Sequence, residues 1–186
     1  ADLKEAADKL DVYLQVRPGA YVLDYNWVVP GVVEAINPAN GVITVRYEDR
    51  RNEYGPSTLG KIGPRPADFF PALVLYDPDR LRDLAASDPV AFVKLALEAD
   101  LENRLAYKDL KATVTRLLGE KGWARWWKDA REQLKRDPLL GMSAGSQPTF
   151  RLLRQADRYE DRLRRRFDRA EEPAEKLRRT LDYLDE

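Results

Sequence analysis

Gly122-Trp-Ala-Arg-Trp-Trp-Lys-Asp-Ala-Arg-Glu-Gln-Leu-Lys135, closed by Arg136-Asp-Pro138, decides how the rest of the chain is read. At helical spacing Trp123, Trp127, Ala130 and Leu134 share one face, and Lys121, Arg125, Lys128 and Lys135 lie largely on the other. Trp126 stands a third of a turn off the apolar stripe. It either packs under a neighbouring element or forms an exposed contact patch. Upstream, Leu110, Val114 and Leu117 continue the helical period from Tyr107 to Leu118, so Gly119 to Gly122 reads as the turn of a helix-turn-helix. Downstream, Asp137-Pro138 stops the second helix. Two short apolar pieces, Leu139 to Met142 and Thr149 to Leu153, then flank the flexible Ser143-Ala-Gly-Ser-Gln147. A hairpin in that position is a wing, and the stretch is expected to be winged-helix-like.

Working outward, Asp77-Pro78 and Asp88-Pro89 each place an N-cap before a first-turn proline and predict two short helices. Before them the period changes from 3.6 to 2. Tyr21 to Tyr25, Trp27 to Val29, Gly31 to Ile36, Val42 to Tyr47 and a weaker piece at Asn52 to Tyr54 read as strands, and Asn40-Gly41 supplies a hairpin turn. Five short strands in so few residues suggest a small antiparallel, Tudor-like β-barrel. Leu3, Ala6, Ala7, Leu10 and Leu14 give the preceding helix one apolar face. Gly55-Pro-Ser-Thr-Leu-Gly60-Lys61 has the spacing of a phosphate-binding loop, but Ile62 replaces the magnesium-binding hydroxyl, neither flank supplies the required strand and helix, and Pro56, Gly63, Pro64 and Pro66 disfavour a following helix, so nucleotide binding is not expected here. After the wing, residues 154 to 186 are highly charged, with thin apolar seams (Tyr159, Leu163, Phe167; Leu177, Leu181, Leu184), and predict a helical hairpin or the start of a further domain. The expected class is therefore α+β: helix plus barrel over 1–66, a mainly helical winged-helix-like domain over 67–153, and a charged tail over 154–186.

Composition narrows the chemistry. Lysine plus arginine equals aspartate plus glutamate at 32 each, so no global field draws the chain to polyanions, although basic residues outnumber acidic ones between 120 and 170. Cysteine and histidine are both absent. That removes thiolate chemistry, the usual zinc ligands and every Ser-His or Cys-His arrangement. No apolar run is long enough to span a bilayer and no signal-peptide core opens the sequence, so the expected setting is cytoplasmic. No cofactor, metal or small-molecule substrate is expected. The candidate contacts with a protein partner or nucleic acid are Tyr25, Trp27 and Tyr47 on the barrel, where ring faces could cage a cation, and Trp126, Arg125, Lys128 and Lys135 on the second helix. Arg162 and Arg165 in the tail complete the set, facing phosphate or an acidic protein.

Three groups of residues carry a resemblance to a known family. Trp27 through Val33 precede a strand-turn-strand, Phe69-Phe70 lead to Asp77-Pro78 and Asp88-Pro89, and Trp123-Ala-Arg-Trp-Trp-Lys is followed by Leu134-Lys-Arg-Asp-Pro138. In this order they resemble the N-terminal accessory region of long bacterial proteins in which a GreA/GreB-type transcription elongation factor is fused behind extra domains. The resemblance spans most of residues 20–184 and implies a setting at bacterial RNA polymerase. The Gre segment that provokes transcript cleavage is an acidic-tipped coiled coil, and nothing here looks like it, so no catalytic residue carries over.

These observations lead to the expectation of a non-enzymatic, transcription-associated interaction module. It would contact RNA polymerase or another transcription protein and bind nucleic acid weakly and non-specifically at most. Two alternatives compete with it. One is a metal-dependent phosphodiester-cleaving enzyme using Glu98 with Asp100, or Asp182 with Asp185 and Glu186. The other is a purely structural spacer.

Overall fold

The computed structural model describes residues 3–168, together with 172, 174, 177 and 178. The second arm of the expected C-terminal hairpin and the Asp182, Asp185, Glu186 cluster lie outside the described residues, apart from the isolated positions named. The chain divides into two compact units, 1–83 and 84–186, with the boundary inside a helix.

The first unit opens with α1 (Leu3–Gln15) and continues through β1 (Tyr21–Asp24), β2 (Val29–Asn37), β3 (Val42–Arg46), β4 (Arg51–Tyr54), a 3-10 turn (Leu59–Lys61) and β5 (Ile62–Arg65). All the strand pairings are antiparallel and the order is β4-β3-β2-β1-β5. Strands β4 and β5 are therefore edges that do not pair with each other, and the expected closed Tudor-like barrel is instead an open sheet. A register shift between Val33 and Ala35 bulges β2, which is the kind of irregularity that bends a strand. Strand alternation places Val22, Val33, Ile43 and Val45 on the inner face, where they meet Tyr47, Tyr54, Leu59 and Ile62.

The helix α1 packs on this core with Val12 and Tyr13, followed by the buried Val16 just past its end, and not with Ala7, Leu10 and Leu14 of the stripe expected from its period. Leu10 is 58% and Leu14 76% exposed. The helix is rolled because Tyr13 donates its hydroxyl proton to the Gly41 carbonyl across the hairpin turn at 2.5 Å, which brings the neighbouring Val12 inward. The helix α2 (Phe70–Tyr76) packs on β2, and Tyr76 donates to the Pro30 carbonyl at 2.9 Å. That contact draws α2 into the first unit, past the boundary expected at residue 66.

The helix α3 (Pro78–Ser87) crosses into the second unit, which continues with α4 (Pro89–Glu98), β6 (Arg104–Ala106), α5 (Tyr107–Arg136), β7 (Leu140–Met142), β8 (Thr149–Leu152) and α6 (Tyr159–Asp168). Asp88 caps α4 by accepting from the Ala91 amide at 2.9 Å, with Pro89 at its first turn. The three strands form an antiparallel sheet in the order β6-β8-β7. The hairpin after the helix pair is the expected wing, and β6, which no pattern announced, is the third strand beside it. Around it, Phe92, Val93, Leu97, Leu110, Val114, Leu134, Leu140 and Phe150 are fully or almost fully buried.

Candidate functional site

Two surfaces follow from the candidate residues, one in each unit. In the first, the turn from β1 to β2 carries Tyr25, Asn26, Trp27 and Val28 outward. Trp27 is 64% exposed, and Tyr25 and Val28 are exposed beside it. The turn is rigid nonetheless, because Asp24 at its base is buried and fully engaged. Its Oδ1 accepts the Asn26 amide at 2.8 Å and the Trp27 amide at 3.3 Å, while Oδ2 accepts the Tyr54 hydroxyl at 2.6 Å. Tyr54 in turn lies 2.8 Å from the Tyr47 hydroxyl. Burial pushes both tyrosine pKa values up; the bond to Tyr54 adds to the rise at Tyr47 and the bond to Asp24 adds to it at Tyr54, where the Tyr47 hydroxyl works against it. Val28 has φ 54°, a left-handed conformation that a β-branched residue rarely adopts, and its amide bonds back to the Asp24 carbonyl at 2.8 Å. The chain is strained here in a way that holds Trp27 out in water.

The expected cation cage is already filled. Arg50 places its guanidinium 4.5 Å from the Trp27 ring centre and 5.2 Å from that of Tyr47. Tyr47 itself is buried, so it supports the surface from beneath and is no contact residue. Arg65 covers Tyr25 in the same manner at 5.5 Å. Asp24, Val28 and Arg50 are the residues that sequence reasoning missed. The Asp-Tyr-Asn-Trp order was the available signal for the first, since aspartate two or three positions before a turn commonly accepts its amides.

The surface of the second unit rests on α5. This long helix is broken at Gly119, whose φ 77° and ψ 168° belong to a region that only glycine occupies comfortably. A Cβ on Gly122 would lie 2.6 Å from the Leu118 Cβ. One glycine thus makes the bend and the other makes room for it, so the turn is a single residue where four were expected. Beyond it Trp123, Trp126, Ala130 and Leu134 are buried, and Trp127 is only half-buried. Trp126 is therefore no partner contact. Its Nε1 donates to the Ala85 carbonyl at 2.7 Å and its ring meets Phe92 edge-on at 5.9 Å. Trp127 stacks on Trp123 at 5.4 Å and meets Tyr107 and Phe150 edge-on. The helix is turned slightly from the expected phase because the indole nitrogen of Trp126 finds an acceptor inside the unit.

On the opposite face Arg125 and Lys128 are exposed or half-exposed as expected, but Glu120, Asp129 and Glu132 are exposed among them. Lys135 is half-buried, with its ammonium 5.2 Å from the Tyr159 ring and 4.0 Å from Glu132. Asp137 closes the helix. It accepts from Lys94 on α4 at 2.8 Å and from the Leu139 amide at 2.9 Å. Arg162 is also committed within the unit: it donates to the carbonyls of Lys135 at 2.7 Å, Leu140 at 3.0 Å and Asp137 at 3.3 Å. It caps the end of α5 instead of presenting its charge to a ligand. Arg165 forms a two-pronged pair with Asp157 at 2.6 and 2.7 Å, and that hydrogen bond raises its pKa further.

Glu98 and Asp100 are exposed, and Asp100 accepts the Glu102 and Arg104 amides as a turn residue. Among the described residues no group of three acidic side chains could hold a metal ion. Among them, too, no helix is long and apolar enough to cross a membrane.

With the geometry in place, comparison with known proteins adds two findings. Residues 72–157, from within α2 to just before α6, match the family described as the GRAD helix-turn-helix domain. Over 83 residues the chain is 30% identical to a protein of Chlamydia trachomatis serovar D named transcription elongation factor GreA. That segment is 45% of this chain and only 12% of the relative. No solved structure matches the chain.

Proposed function

We propose that this chain is a non-enzymatic interaction module of the bacterial transcription apparatus. In this reading it docks on RNA polymerase, or on a protein bound to it, through the Tyr25 to Val28 turn. The observation that carries the reading is the exposed Trp27, held outward by a buried carboxylate and a strained valine. A large aromatic fixed in water loses little side-chain entropy when a partner covers it, and such residues dominate binding energy at protein interfaces. The helix-turn-helix family match and the likeness to a GreA protein supply the transcriptional setting. The mixed charges on α5 support only weak, sequence-independent affinity of that helix for nucleic acid, no tighter than about micromolar at physiological salt.

Retention of purified bacterial RNA polymerase on the immobilised 186-residue chain tests this. The parent chain is expected to retain the polymerase, and Trp27→Ala combined with Tyr25→Ala is expected to lose it. Equal retention by the double variant would remove the turn from the interface, and no retention by the parent would end the polymerase reading.

A further inference from the structure

The outer face of the three-stranded sheet breaks a rule of sheet construction. In the β6–β8 register Arg104 lies directly opposite Arg151, and like charges in that position repel. The neighbouring strand makes the arrangement possible. Gly141 stands opposite Arg151 in β7, and a Cβ there would come within 2.9 Å of the Arg151 Cγ and Nε. The missing side chain lets Arg151 lie flat across the sheet. Both arginines line a hollow of about 490 Å³ with Gly141, Ser143, Thr149 and Arg162.

The acids nearby do not neutralise it. Asp157, which also lines the hollow, is held by Arg165, and Glu102 reaches Arg104 only at 3.8 Å with both side chains mostly in water. Arg162 lines the hollow with its donors committed to three helix-end carbonyls, so it shapes the hollow while Arg104 and Arg151 supply the contacts. The Ser143 Oγ accepts the Thr149 amide at 2.8 Å, which leaves its own proton to donate.

We infer that this sheet face, centred on Arg104 and Arg151, is a binding site for the phosphate backbone of nucleic acid. Guanidinium forks and hydroxyls are the groups that contact phosphate oxygens, and a flat glycine-backed surface lets a strand approach closely. Among the described residues no aromatic ring lines the hollow, so no base is stacked, and single and double strands are bound alike without sequence preference. An acidic protein segment is disfavoured because the apolar lining is limited to Met142 and Leu153, too little to anchor one. The site shares no residue with the turn assigned to the polymerase, and the two assignments stand or fall separately.

Fluorescence anisotropy of the full chain with a labelled 20-base-pair duplex and a 20-nucleotide single strand, across a salt series from 50 mM, tests the assignment. Arg104→Gln with Arg151→Gln is expected to weaken binding at least about tenfold at the lowest salt and to flatten the log–log salt slope by about two. Lys121→Gln with Arg125→Gln and Lys128→Gln is expected to weaken it less. Melting followed by circular dichroism should show the first variant as stable as the parent, since it relieves a repulsion, and it should still retain polymerase. Binding unchanged in the first variant, a larger loss in the helix variant, or no binding by the parent at 50 mM salt would each overturn the site. Displacement of the duplex by polyglutamate at matched charge would overturn it in favour of an acidic protein.

Discussion

The first unit holds one tryptophan and the second holds three, and they meet opposite fates. Trp27 leaves 64% of its surface in water, whereas Trp126 leaves 6%. Residue type does not distinguish them; support does. Trp126 follows Trp123 by three positions on a helix, where successive rings land on one seam and a carbonyl waits for the indole N–H. Trp27 stands in a turn whose base is a buried aspartate, and the turn geometry leaves the ring nowhere to pack except against Arg50. An aromatic at helical spacing is drawn inward, and one in an aspartate-anchored turn is held out.

The largest test of this contrast is Trp126→Ala, expected to destabilise the chain by about 3–5 kcal/mol because it opens a cavity and leaves the Ala85 carbonyl unpaired. Thermal or denaturant melting measures it, and a loss below about 1 kcal/mol would mean the ring is not core. Asp24→Ala should cost about 2–3 kcal/mol, since two amides and a tyrosine hydroxyl lose a charged acceptor. It should also free the Trp27 turn, seen as reduced polymerase retention even at temperatures where the variant is folded.

A subtler difference is that the first interior contains hydroxyls and a carboxylate. Tyr47 and Tyr54 have raised pKa values when folded, so the unfolded chain ionises first. Stability is then complete below about pH 10 and falls as pH rises above it, by up to about 1.4 kcal/mol per pH unit for each tyrosine. Denaturant melts from pH 8 to 11 should show this slope, and Tyr47→Phe should reduce it. The smallest stability effect belongs to Trp27→Ala, under about 1 kcal/mol, the worth of an exposed cation–π contact. Its large effect should appear only in binding, and a stability loss like that of Trp126→Ala would erase the distinction between the two units.

Much of this was legible in the sequence. Asp88-Pro89 marked a real cap, Asn40-Gly41 a real turn, and the spacing after Asp137-Pro138 a real wing. What escaped depended on partners distant in the chain. The strand β6 is three residues long and exists because β8 pairs with it, so it has no period of its own. Tyr13 reaching Gly41 set the roll of α1, and Ala85 accepting from Trp126 set the phase of α5. Barrel closure was inferred from strand number, but closure requires the two edges to meet, and no local pattern reports that. The basic residues were found without their assignments: Arg162 spends its donors on helix-end carbonyls that no spacing rule connects to it, and Arg104 becomes meaningful only when register sets it opposite Arg151.

The single-residue turn at Gly119 has a consequence for how this domain can vary. A loop of several residues absorbs an insertion, but a joint of one residue has no slack to absorb it. Adding a residue there would advance everything after it by about 100° around the helix axis. Trp123 and Trp127 would then take the exposed places of Ala124 and Lys128, and Arg125 and Asp129 would be driven into the buried places of Trp126 and Ala130. Gly119 therefore acts as an indexing pin. A length change between Leu118 and Gly122 would disrupt the packing of the second half of α5, whereas the wing tip at 143–147 is exposed and has no buried register to lose.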